Sequence, residues 1–136
     1  MDAGYSGTPL AKKLGVKPGC SLFLLDAPSE WSVPGMPADV GVERRRRPPF
    51  AGAEVVVAFC RSTADVAKLA AAATSLSVNA ALWVAWPRKA AGHVSDVTEN
   101  LLRELLLPVG VVDVKVAALD PDWSGLKFVW RKENRG

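Results

Sequence analysis

Three apolar runs of strand length constrain the fold most: CSLFLL at Cys20–Leu25, EVVVAFC at Glu54–Cys60 and AALWVAW at Ala80–Trp86. A strand with one wet face alternates polar and apolar residues, whereas a strand covered on both faces reads as a nearly unbroken apolar run. All three are of the second kind. Between the second and third lies a helical pattern, opened by Ser62 and Asp65 as a capping pair and carried by Val66, Leu69, Ala70, Ala73 and Leu76 at spacings of three and four. Asn79 supplies a turn, and Pro87 ends the third strand because it cannot donate to the ladder. A strand, a helix and a strand in that order predict parallel pairing through a right-handed crossover, hence an α/β fold with a parallel core.

The flanking segments extend this plan. Thr8, Pro9 and Leu10 open a short helix that Gly15 stops after Leu14. The stretch Ala27–Gly52 is rich in proline and glycine and reads as a long irregular connection, with at most a short extended piece near Val40–Glu43. Beyond the loop Arg88–Val94, Asp96 and Glu99 form a second capping pair. Val97, Leu101, Leu102 and Leu105 then make a helix that Pro108 and Gly110 terminate. Val111–Leu119 alternates, with Val112, Val114, Val116 and Ala118 expected on one face. Asp120–Gly125 is turn chemistry, and Leu126, Phe128 and Trp130 return as the second arm of an antiparallel hairpin at the sheet edge, followed by a basic tail.

Composition narrows the function. The 136 residues fit one domain, and 49% apolar content suits a packed core. No run reaches the roughly 18 to 20 apolar residues of a membrane span, and the N-terminus lacks a basic-then-apolar leader, so a cytoplasmic setting is expected. Cys20 and Cys60 match no zinc spacing and read as reduced packing thiols. His93 is the sole histidine, which removes multi-histidine metal sites; no metal is expected. No phosphate-binding P-loop, H-E-x-x-H, C-x-x-C or G-x-S-x-G element is present, and no catalytic residue is assigned.

A ligand, if there is one, belongs in the crevice outside the carboxyl ends of the parallel strands, in the neighbourhoods of Asp26, Cys60–Ser62 and Trp86–Lys89. A nucleotide fold usually places a glycine-rich loop after its first strand, but Asp26-Ala27-Pro28-Ser29-Glu30 contains none. Asp26 can accept hydrogen bonds from a ribose or an amine, Trp86 can stack on a planar ring, and Arg88 or Lys89 can meet an anion. Trp123 with Lys127 offers a second polar and aromatic lip. Each has a plainer reading: a turn cap, edge packing or a solvated cation. Arg44, Arg45, Arg46 and Arg47, followed by two prolines, form a solvated loop or an anion-binding patch; nucleic acid is the lesser reading, because other charges are mixed in sign. Tyr5, Ser6 and Gly7 before Thr8 are weighed as a phosphate site, with Thr8 preferred as a helix cap, and Glu99 is likewise explained by capping.

Two resemblances add to this reading. LGVKPGCSLFLLDAP is similar to the segment leading into the first strand of class I methyltransferases, and VVDVKVAALDPDWSGLKFVWR resembles their final hairpin. That likeness implies a three-layer, Rossmann-like sheet reduced around its second and third strands; the missing glycine loop speaks against the S-adenosylmethionine those enzymes bind. GYSGTPLAKKLGVKPG, ALWVAWPRKA, DVTENLLRELLLPVGVVDVKV and WSGLKFVWRKENR together look like an uncharacterised bacterial family, domain of unknown function 3052. It implies a small cytoplasmic α/β domain with no activity to transfer. The resulting expectation is a noncatalytic domain that binds a protein partner or a small anionic or nucleotide-like ligand, with no cofactor. The alternatives are a reduced methyltransferase-like enzyme, a structural protein that self-associates into a homo-oligomer through its sheet edge or its tryptophan-rich surface, or a weak nucleic-acid binder through the arginine run.

Overall fold

A computed structural model describes residues 9–46 and 50–134. Six strands form one sheet: β1 (Ser21–Leu25), β2 (Gly41–Arg45), β3 (Val55–Phe59), β4 (Ala81–Pro87), β5 (Val111–Ala118) and β6 (Trp123–Trp130). Their order across the sheet is β2-β1-β3-β4-β6-β5. The first four run parallel, while β6 lies antiparallel between β4 and β5. The mixed α/β sheet with parallel core strands and an antiparallel C-terminal pair follows the plan read from the sequence.

The burial explains why the three apolar runs have no polar alternation. Every residue of β3 is buried, and the five central residues of β4 are too. On one face α2 (Thr63–Ala72) and α3 (Glu99–Leu106) enclose a core containing Val56, Val66, Leu82, Leu102, Leu106 and Phe128. The other face is covered by α1 (Leu10–Leu14) and by Trp31 and Val33 from the β1–β2 connection, packed on Leu22, Leu24, Val57 and Trp83. The Trp83 indole N–H donates to the Leu14 carbonyl at 3.2 Å, tying α1 to the sheet. No described helix is long and apolar enough to cross a membrane.

Four local expectations need correction. The extended piece in the β1–β2 connection is a true edge strand, β2, paired with β1 from Ser21↔Gly41 to Leu25↔Arg45. Its side chains are mostly exposed, so hydrophobic pattern could not reveal it; its charges suit an edge that must not recruit further strands. The cap of α3 is Thr98, whose side chain accepts from the Leu101 N–H at 3.1 Å, while Asp96 accepts from the backbone N–H and hydroxyl of Thr63 at 3.1 and 2.6 Å. In β5 a bulge between Asp113 and Lys115 breaks the alternation and leaves Val114 and Val116 54% and 53% exposed. Finally, β6 begins at Trp123, so three residues expected in the turn are strand residues. Asp120 makes this tighter corner by accepting from the N–H groups of Asp122 and Trp123, both at 2.8 Å.

Candidate functional site

Open α/β sheets bind ligands where the chain order reverses, because the connections leave opposite faces there and open a crevice. In this sheet β1 continues outward to β2, whereas β3 continues to β4 on the other side. The reversal therefore lies between β1 and β3. A cavity of about 400 Å³ opens at that place, lined at the strand ends by Leu25, Asp26 and Cys60, across from Phe50 and from Lys68 and Leu69 of α2. A second, of about 440 Å³, adjoins it on the β2 side and shares Asp26 and Arg46.

Asp26 is the pivot. Its φ of 56° is left-handed, a conformation in which aspartate is among the few tolerated residues besides glycine. Its N–H donates to the Arg45 carbonyl at 2.7 Å, extending the β1–β2 pairing by one bond, and its Oδ2 accepts from the Arg61 guanidinium at 3.2 Å. The chain thus makes the sharp exit from β1 without glycine and places a carboxylate at the mouth of the crevice. Arg61 lies within the Cys60–Ser62 neighbourhood expected at the crevice but is not singled out by the sequence. It follows β3, pairs with Asp26, and lies 5.3 Å from the Trp123 ring centroid. Trp123 in turn meets Phe59 edge to face at 4.9 Å, and Phe59 meets Trp31 in the same way at 4.9 Å. Only the position of Arg61, just past an apolar run, could have marked it.

The arginine run divides by role. Arg44 donates to the carbonyls of Trp31, Pro28 and Ser29 at 2.8, 2.6 and 3.2 Å, so it clamps the β1–β2 connection. Arg45 pairs with Glu43 and lies 4.4 Å over the Phe23 ring. Arg46 lines both cavities. Arg47 lies outside the described residues, as do Tyr5, Ser6, Gly7 and Thr8. The run is thus not one solvated loop, since two of its members belong to β2.

Of the other candidates, Asp26 and Trp123 come together through Arg61. Trp86 is packed in the core beneath α2 and α3 and lines neither cavity. Lys89 stands exposed in a single 3₁₀ turn, away from both cavities. Lys127 sits at the other end of the sheet, in a cavity of about 300 Å³ with Lys17, Glu54 and Asn79. His93 contacts Asp122 at 3.0 Å at the surface. Burial pushes the Cys60 thiol up to about 12, so it remains a neutral thiol at physiological pH and is no nucleophile. Among the described residues no group of histidine, cysteine and carboxylate side chains could hold a metal ion.

No family model matches the chain, and no curated protein matches it. Solved structures do share its fold. The fibrillarin pre-rRNA processing protein of Methanococcus jannaschii superposes with a TM-score of 0.60 at 14% identity, over 85% of this chain and 68% of that one. Aeropyrum pernix fibrillarin, solved with natively bound S-adenosyl-L-methionine, gives 0.59 at 15% identity over 88% and 73%. The B. subtilis tRNA methyltransferase TrmK gives 0.54 at 12% identity over 90% of this chain and 64% of its own. The methyltransferase-like outline therefore stands. Two expectations are corrected with it: the noncatalytic binding domain and the absence of a cofactor. The glycine-free loop that argued for both does not close the crevice, because Asp26 adopts the left-handed turn itself.

Proposed function

We propose that the chain is a reduced methyltransferase-like enzyme that binds S-adenosylmethionine in the crevice between the ends of β1 and β3. The observation that carries this is the cavity at the reversal of chain order, with Asp26 turned left-handed at its mouth. Non-glycine residues in such backbone regions cluster at functional sites.

The residues present fit the ligand. Leu25, Phe50, Ala58 and Leu69 form an apolar wall of the kind an adenine ring packs against. The Phe50 N–H donates to the Ser75 hydroxyl at 3.1 Å and holds that wall in place. Asp26, with one oxygen on Arg61, can accept ribose hydroxyls with the other. Asp65 can accept from the amino group of the methionine arm. Bound, S-adenosylmethionine would supply a methyl group activated by its sulfonium; the chain's own residues would orient it, and burial keeps the Cys60 thiol beside it protonated. A relation to the uncharacterised bacterial family that the chain resembles, and a cytoplasmic setting suited to the free cysteines Cys20 and Cys60, belong to the same proposal.

Titration calorimetry and thermal melting with S-adenosylmethionine and S-adenosylhomocysteine test it. Saturation at a hundred times the dissociation constant should stabilise the fold by about 2.7 kcal/mol. No heat and no melting shift with either compound would remove the cofactor from this reading.

A further inference from the structure

The charges around the crevice are unevenly satisfied. The two adjoining cavities are lined by four cations, Arg44, Arg45, Arg46 and Lys68, against two carboxylates, Asp26 and Asp65. Arg44 is committed to three backbone carbonyls, and Arg45 to Glu43 and the Phe23 ring. The carboxylates are engaged as well: Asp26 pairs with Arg61, and Asp65 accepts from the Arg61 backbone N–H at 2.9 Å. Arg46 and Lys68 alone among these cations have no hydrogen-bond or ion partner among the described residues, and both line the apolar-walled cavity. One comes from the end of β2 and the other from α2, so they approach the cavity from different elements.

Position adds to charge. Arg46 is the first residue past β2, beside Asp26 at the end of β1. A guanidinium fork matches the paired oxygens of a carboxylate or phosphate, and an ammonium adds a movable point charge.

We infer that Arg46 and Lys68 form a clamp for an anionic group, carboxylate or phosphate, carried by an adenosine-type ligand whose ring lies against Leu25 and Phe50. The inference rests on the adenosine site proposed above and deepens it: the site selects for negative charge attached to the ribose. S-adenosylhomocysteine carries a carboxylate, adenosine 5′-monophosphate a phosphate, and 5′-methylthioadenosine neither. Titrated at low ionic strength, at least one of the two ligands that carry an anionic group should bind about ten- to a hundred-fold more tightly than methylthioadenosine, the range of charge-assisted hydrogen bonds. Which of them gains identifies the anion. Added salt should narrow the gap. Arg46→Gln and Lys68→Gln should each narrow it too, while the affinity for methylthioadenosine stays unchanged. Both side chains are exposed, so the variants should melt with the parent chain. Equal binding of all three compounds, or a gap that survives both substitutions, would overturn the clamp and leave the adenosine site standing. Failure of all three to bind would overturn the site and the clamp together.

Discussion

The two halves of the sheet cover themselves in different ways. From β3 to α3 the chain alternates strands and helices, and α2 and α3 lay leucine, valine and alanine stripes on β3 and β4. Between β1 and β2 no helix forms. A strap crosses the opposite face and is fixed at a few points: the Trp31 indole N–H donates to Asp120 at 2.8 Å, Arg44 gathers three carbonyls, and Trp31 meets Phe59 edge to face. A helix satisfies its own backbone and needs only a greasy stripe. A strap leaves carbonyls and N–H groups to be satisfied by side chains from elsewhere. The lesson is that the strap half must carry polar side chains at the strand ends, and there the crevice, Asp26 and the arginines are found.

The largest effect should separate core from strap. Trp83 is fully buried in the middle of β4, and Trp83→Ala should cost about 3–5 kcal/mol in urea unfolding. Trp31 is also shielded, yet it anchors a strap, so Trp31→Ala should cost less and instead raise protease sensitivity between residues 27 and 40. Equal losses of global stability would show that strap and core unfold as one unit and would break the comparison.

Next in size is a pH effect within the crevice. Because the Cys60 thiol titrates at about 12 in the fold against an ordinary value near 9.0, the folded chain retains a proton that the unfolded chain releases. Its contribution to stability is whole below pH 9 and falls by about 1.4 kcal/mol per unit between pH 9 and the folded value. The difference in unfolding midpoint between the chain and Cys60→Ala, followed from pH 8 to pH 10, isolates this from other titrations. A difference that stays constant would mean that the thiol is wetter than its burial implies.

The third effect concerns the helical half, and it also shows what the sequence could carry. Thr98→Ala should cost about 1 kcal/mol by removing the α3 cap. Ser62, by contrast, was legible as the α2 cap, since its side chain accepts from Asp65 N–H. At α3 the same spacing rule singled out Asp96, because a capping pattern is local in sequence, whereas Asp96 bonds to Thr63 on another element. The three core strands could be read because burial on both faces leaves no room for polar residues. β2 showed only as a short extended piece near Val40–Glu43, since an edge strand with exposed side chains has no hydrophobic signature. The site was half legible for a similar reason. Asp26 lies at a strand end, which topology marks, but Arg61 and Lys68 gain their meaning only when β3 and α2 stand beside β1.

The smallest effect on stability is the sharpest test of the strap. Replacing Asp26 with glycine keeps the left-handed turn and removes the carboxylate, so relief of backbone strain and loss of the exposed pair with Arg61 oppose each other. The net change in unfolding free energy should stay within about 1 kcal/mol of zero. Ligand affinity should respond differently, because a carboxylate that meets ribose hydroxyls at the crevice mouth contributes charge-assisted bonds that glycine cannot supply, and roughly ten-fold or greater weakening is expected. Asp26→Ala adds the missing control, since it removes the same carboxylate while forcing a Cβ without polar compensation into the left-handed region. It should lose stability as well as affinity. Were Asp26→Gly to bind as well as the parent chain, Asp26 would be a turn residue only, and the strap half would owe its irregular form to folding rather than to a site.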